Sequence, residues 1–176
     1  MKIHFRKQKG FSLIELLVSM AVFASVTTVI ITVLFVSFRA GKKSDVLISL
    51  KQNGDATLAQ MVKSIRYAKS LDAPAACTTP VTQASITITS ISDAKQTIFS
   101  CPAGASTSIT SNSASLIDTN AVSVSGCSFT CSQATTNDPP TITIQFTLGA
   151  KNTTSFVETT GSIPFQTSVT LRNYNP

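Results

Sequence analysis

The sequence predicts an α+β protein: a long N-terminal α-helical spine, apolar enough in its first half to cross a membrane, packed on a C-terminal antiparallel β-sheet head. Three observations predict it. Residues 16–38 (LLVSMAVFASVTTVIITVLFVSF) carry no formal charge. Residues 47–68 keep apolar side chains at helical spacing. From residue 73 onward Ser and Thr dominate, charges thin out, and apolar residues alternate with polar ones.

The charge pattern sets the frame. The chain has 176 residues, 43% of them hydrophobic and only 12% charged, against a globular norm of roughly 25% charged. That excludes a charged disordered tail and a charge-laced coiled coil. The net charge is +6 and the pI is near 9.4, values that invite a nucleic-acid reading. The basic excess, however, flanks the apolar segment. Residues 1–10 (MKIHFRKQKG) hold Lys2, Arg6, Lys7 and Lys9 without an acid, and Arg39, Lys42, Lys43, Lys51, Lys63, Arg66 and Lys69 follow the segment. Beyond Cys77 the three basic residues Lys95, Lys151 and Arg172 meet Asp93, Asp118, Asp138 and Glu158. The balance points to membrane topology, and no nucleic-acid partner is expected. The single histidine, His4, lies near the start. It excludes an enzyme that uses His as base or ligand in its folded body.

The apolar segment is long for a cleaved signal peptide. At ~1.5 Å per residue, residues 16–38 cover ~35 Å as a helix, enough for a hydrocarbon core of ~30 Å. No Pro or Gly interrupts it. The β-branched run at 26–33 suits a strand in water, but a lone strand in lipid leaves its backbone unpaired, so helix wins. A secretory signal has an apolar region of ~7–15 residues and a small-x-small cleavage site. Here bulky Phe38 stands where a small residue is needed. A plain signal anchor explains the length and the flanks. It does not explain Glu15, a carboxylate at the edge of the apolar run, which at bilayer depth costs ~2.5–3.5 kcal/mol.

The stretch Lys9-Gly10-Phe11-Ser12-Leu13-Ile14-Glu15-Leu16-Leu17-Val18 resembles the type III signal of type IV pilins and pseudopilins. The resemblance implies cleavage by prepilin peptidase between Gly10 and Phe11, and N-methylation of Phe11. It implies that Glu15, fifth in the mature chain, neutralises the N-terminal amine of a neighbouring subunit during assembly. Physics supports that role. Phe11 and Glu15 are four residues apart and share a helical face. Both charges are costly in lipid when alone, so pairing across subunits would reward one axial register. An intramolecular pair is the alternative.

After the basic collar at 39–43, Leu47, Leu50, Gly54, Leu58, Met61, Ile65 and Ala68 form one apolar stripe. It is expected to pack on a sheet, with the helix running to about Leu71 and Pro74 marking its end. Gly54 weakens the helix by ~1 kcal/mol against Ala, so a bend or close packing is expected there. In the head, strands are expected at Ile86 and Ile88, at Val122 and Val124, along Ile142, Ile144, Phe146 and Leu148, and along Phe165, Val169 and Leu171. Turns fall at 92–95 and 137–140, and residues 104–115 form a Ser/Thr-rich loop. The organisation is therefore 1–10 cleaved leader, 11–38 transmembrane and filament-core helix, 39–72 amphipathic extension, and 73–176 head, the architecture the pilin resemblance implies.

Cys77, Cys101, Cys127 and Cys131 all follow the membrane segment. Outside the cytoplasm an even number of cysteines predicts two disulfides. Zinc would require tighter thiolate spacing or His partners. Three connectivities are open. Cys77–Cys101 brackets the first expected hairpin and is preferred, which leaves Cys127–Cys131. That second pair needs a turn or bulge at 128–130. Four residues of regular strand span ~13 Å, against ~5.5 Å between bridged Cα atoms. Crossed pairing stays open.

No catalytic constellation is present. There is no G-x-S-x-G and no Gly-rich phosphate loop. Asp118-Thr119-Asn120 offers oxygen atoms, yet solvated surface is the default; no cofactor and no metal are expected. The resemblance implies a structural subunit, minor rather than bulk, of a type IV pilus-like or type II secretion filament. Its partners would be homologous subunits, prepilin peptidase, an inner-membrane assembly platform and, before assembly, membrane lipid. It would sit single-pass in the inner membrane with its head outside the cytoplasm, then in a periplasmic or cell-surface filament. The alternative is a membrane-anchored binding module that does not polymerise.

Overall fold

The computed structural model describes residues 10–102, 108–151 and 160–174. They form one long helix, α1 (Leu13–Arg66), and nine strands: β1 (Ala68–Ala73), β2 (Val81–Gln83), β3 (Ser85–Ser90), β4 (Gln96–Ser100), β5 (Thr110–Ser111), β6 (Ala114–Ser115), β7 (Val122–Ser132), β8 (Thr141–Ala150) and β9 (Ser162–Thr170). The chain divides into two compact units, Met1–Gly41 and Lys42–Pro176, and α1 contributes to both.

Helix α1 starts where Ser12 offers its carbonyl to the N–H groups of Glu15 (3.0 Å) and Leu16 (3.2 Å). Glu15 lies in the first turn and Lys63 and Arg66 in the last, the arrangement that the helix dipole favours. Within the second unit, Leu50, Gly54, Thr57, Met61 and Ile65 are buried along one face, close to the expected stripe. The helix ends at Arg66, not near Leu71. Ala68 and Leu71 belong to β1, which pairs with β3. Register shifts between Ala68 and Ser70 and between Leu71 and Ala73 let both residues face the core three positions apart. Three is also a helical spacing, so a bulged strand imitated one more turn of helix.

The described strands form two antiparallel sheets rather than one, in the orders β1-β3-β4-β5-β6 and β2-β7-β8-β9. Alternation explains the strands. On β8, Ile142, Ile144, Phe146 and Leu148 are all fully buried, while Thr143, Gln145 and Thr147 alternate with them on the other face. The part of the expected 104–115 loop from 108 onward supplies the β5–β6 hairpin; residues 103–107 lie outside those described. Its two turn residues, Asn112 and Ser113, have φ of 47° and 70°, as a tight primed turn requires. The Asn112 side chain accepts a hydrogen bond from the Ile98 N–H at 2.8 Å.

The core joins the buried stripe of α1 to both sheets. Phe99, Phe129 and Phe146 are its largest fully buried side chains. Phe146 stacks on Phe165 with centroids 5.3 Å apart. The tip of the Phe165 ring rests on Gly54, and a Cβ built at Gly54 would collide with it. Of the two expected roles, the structure gives close packing to that glycine.

The disulfides correct the preferred pairing. Cys77 bridges Cys131 and Cys101 bridges Cys127, with Cα separations of 5.6 and 5.5 Å. Cys127 and Cys131 lie on the same strand, β7, with no turn between them. Strand β2 pairs with β7 and sets Val81 opposite Cys131, which carries the nearby Cys77 to it. The Gln133 N–H also donates to the Cys77 carbonyl at 2.9 Å. The β7 register slips between Ser125 and Ser128, where Gly126 adopts φ +60°. That bulge holds Cys127 beside the end of β4, where the Cys101 N–H donates to the Ala84 carbonyl.

Candidate functional site

The site begins at the first described residue, Gly10, which is exposed. Phe11 follows at 81% exposure. Neither belongs to the helix, which starts at Leu13. The expectation that residue 11 opens the helix is therefore off by two residues. The sequence held a signal for the true start. Ser12-Leu13-Ile14-Glu15 has the Ser-x-x-Glu spacing of a capping box. Phe11, Ile14, Glu15, Val18, Ser19, Val22 and Phe23 line one shallow groove on this unit, so Phe11 and Glu15 do share a side.

Glu15 is exposed, and among the described residues its carboxylate has no hydrogen-bond or ion-pair partner. Around it the helix is apolar and uncovered. Every described residue from 10 to 45 is exposed, including Leu16, Leu17, Val18, Phe23, Ile30, Leu34, Phe35 and Phe38. An apolar surface this continuous is unfavourable in water and marks contact with lipid or with other chains. By length and composition the helix can cross a membrane; its most apolar window has a mean hydropathy of 2.3.

The hydroxyls of this segment were not singled out by sequence, and they matter. Ser19 donates to the Glu15 carbonyl (2.5 Å), Ser25 to Val22 (2.8 Å), Thr27 to Phe23 (2.7 Å), Thr28 to Ala24 (2.5 Å) and Thr32 to Val29 (2.8 Å). Each of these five hydroxyls is satisfied by its own helix, so the segment presents few unmet polar groups to an apolar medium. Between residues 10 and 38, Glu15 is left as the one ionisable side chain.

The remaining candidates separate from it. The four cysteines are consumed in the two disulfides. At Asp118-Thr119-Asn120 the Thr119 carbonyl accepts the Lys151 ammonium at 2.8 Å, and Asp118 Oδ1 accepts the Asn120 N–H at 2.9 Å. A cation there would meet an ammonium already in place. Asp138 accepts a hydrogen bond from Thr135 at 2.7 Å, and Glu158 lies outside the described residues. In the β3–β4 turn, the Lys95 N–H and the Ser90 hydroxyl hold the Asp93 carboxyl below its usual range.

Comparison with known families matches residues 5–35 to the prokaryotic N-terminal methylation motif. The motif is the prepilin signal of type IV pilins and pseudopilins, and the chain carries it. It covers less than a fifth of the 176 residues, and it includes Gly10, Phe11 and Glu15. No curated protein and no solved structure matches the chain. The motif points to a structural subunit that prepilin peptidase processes and that assembles with other pilin-type subunits. Together with the apolar helix it fits membrane anchoring before assembly.

Proposed function

We propose that the chain is a minor pilin or minor pseudopilin of a type IV pilus-like or type II secretion filament. One observation carries the reading: the methylation motif sits on an apolar, exposed stretch of α1, residues 13–38, whose single carboxylate, Glu15, has no partner among the described residues. In this reading prepilin peptidase cuts between Gly10 and Phe11, removing the basic leader 1–10, and methylates Phe11. The removed leader takes four of the fourteen basic side chains and none of the eight acidic ones. The mature Phe11 amine then pairs with Glu15 of a neighbouring subunit. Each charge alone is costly in an apolar bundle, and the pair removes both penalties only at one axial offset. Residues 11–38 serve as membrane anchor and then filament core, residues 39–72 extend the spine, and residues 73–176 form the head outside the cytoplasm. Two disulfides in the head support an oxidising compartment.

The test combines processing with assembly. Mass spectrometry of the mature N-terminus should find a methylated Phe11 start; an intact Met1 start or a cut near Ala40 overturns the reading. Glu15→Leu should be cleaved normally yet fail to enter filaments. If Glu15→Leu still assembles at wild-type levels, the pairing role is wrong. If instead the wild-type chain never polymerises and the head binds a target alone, a membrane-anchored binding module replaces the filament subunit.

A further inference from the structure

Among the described residues no strand pairs with the outer edge of β9, and that edge has a defined hydrogen-bonding sense. The Ala150 N–H donates to the Gly161 carbonyl (2.9 Å) and the Leu171 N–H to the Pro140 carbonyl (3.2 Å), one bond just beyond each end of the β8–β9 ladder. Between them the register runs unbroken from Thr141↔Thr170 to Gly149↔Ser162. Antiparallel alternation then turns the main-chain groups of odd-numbered β9 residues toward β8 and those of even-numbered residues outward. Ser162, Pro164, Gln166, Ser168 and Thr170 form the outer edge, and all five are exposed. Pro164 sits where its missing N–H costs the ladder nothing, and it blocks pairing at that end. From Gln166 to Thr170 the edge has no Pro, no charge and no bulge, the devices that protect an edge from addition of another strand.

The same end of the strand carries positive charge. A cleft of about 540 Å³ is lined by Arg66, Ser168, Val169, Thr170, Leu171 and Arg172, with no acid among them. The Arg172 N–H donates to the Arg66 carbonyl at 3.0 Å, which holds the two residues side by side. Among the described residues neither guanidinium has an ion-pair or hydrogen-bond partner. Arg66 complements the α1 dipole in the last turn. Arg172 follows a strand and has no such role.

We propose that the edge at 166–170 accepts an extended peptide segment of a partner protein as a fifth strand, with an acidic side chain of that segment seated between Arg66 and Arg172. Main-chain bonds to Gln166, Ser168 and Thr170 give affinity, and the arginine pair selects for the acid. The inference rests on the second unit, Lys42–Pro176, alone and stands apart from the filament reading.

The test uses the full chain in detergent micelles with two synthetic peptides, acetyl-TVTVTDD and acetyl-TVTVTKK, followed by residue-resolved amide hydrogen exchange. The acidic peptide should slow exchange of the Ser168 and Thr170 N–H groups, and the basic peptide should not. The double variant Arg66→Glu with Arg172→Glu should weaken the acidic peptide by about fivefold or more and reverse the preference. Ser168→Pro places a second outward proline on the edge, as Pro164 already does. It should keep the circular dichroism spectrum of the parent and abolish protection at Thr170. Equal effects of both peptides, protection mapping away from β9, or an unchanged preference in the charge-swapped variant overturns the proposal. If Ser168→Pro disturbs folding, the charge-swapped variant decides alone.

Discussion

Residues 13–41 and 42–66 belong to one continuous helix, yet they solve opposite problems. In the first stretch no side chain is buried, and the hydroxyls of Ser19, Ser25, Thr27, Thr28 and Thr32 turn back to carbonyls of their own helix. In the second, Leu50, Met61 and Ile65 sink into a core along one face. There the buried Thr57 donates to the Asn53 carbonyl (2.7 Å) and also reaches the Leu116 carbonyl of the head at 3.1 Å. A hydroxyl satisfied within its own helix suits any apolar surroundings. A hydroxyl that bonds across to another element suits one neighbour only. The contrast teaches that the first stretch is written for an interchangeable medium, lipid or like helices, and the second for a unique partner within the same chain.

The largest expected effect separates buried from exposed aromatic rings. Phe146→Ala, at a fully buried position, should cost ~3–5 kcal/mol of stability in denaturant unfolding of the full chain in detergent. Phe23→Ala, at 78% exposure, should stay within ~0.5 kcal/mol and reduce assembly instead. Equal losses would erase the contrast.

The disulfides come next. Replacing Cys77 and Cys131 by Ser should cost ~2–5 kcal/mol. Replacing Cys101 and Cys127 should cost about 0.6 kcal/mol less, because sequence separations of 54 and 26 differ by about one doubling of loop length. Non-reducing peptide maps should join Cys77 to Cys131; a Cys77–Cys101 peptide would refute the topology.

Two glycines on the same helix should then respond with opposite signs. A Cβ at Gly41 meets nothing within 4 Å, so Gly41→Ala should raise helix stability by ~0.5–1 kcal/mol. At Gly54 the same gain is outweighed by displacing the Phe165 ring, an overpacking cost of ~1–3 kcal/mol. Gly54→Ala should therefore be destabilising by up to ~2 kcal/mol in thermal unfolding.

The smallest effect is electrostatic. Asp93 is fully exposed, and the Lys95 N–H bond followed by the Ser90 hydroxyl lowers its pKa. A lowered carboxyl pKa adds stability above the unfolded-state value, and that contribution is lost as pH falls through the folded-state value. NMR titration should find Asp93 below the usual 3.8, and Asp93→Asn should flatten the acid limb of stability only slightly.

Much of this contrast was legible in the residues. The apolar run, Glu15, the stripe through Leu50, Met61 and Ile65, and the alternation of Ile142 to Leu148 each carry a local period that one element can satisfy. The short strands were not legible. Strand β2 has three residues and β5 and β6 two each, too few for a period to register. Strand β1 was hidden because its register shifts space Ala68 and Leu71 like a helix. The N-terminal site was legible in composition, but its helix start needed the Ser12–Glu15 capping pattern to be read as a boundary.

By itself the sequence determined the order of helix then strands, the membrane-compatible segment, the motif with Gly10, Phe11 and Glu15, and the oxidised state expected of four cysteines. These depend on neighbours within a few positions, where spacing and side-chain chemistry suffice. Only the tertiary structure decided the split into two sheets, the Cys77–Cys131 and Cys101–Cys127 pairs, and the seat of Phe165 on Gly54. Each joins residues dozens of positions apart, and their meeting is set by which strands pair and where β7 bulges, a choice made by packing the whole head at once.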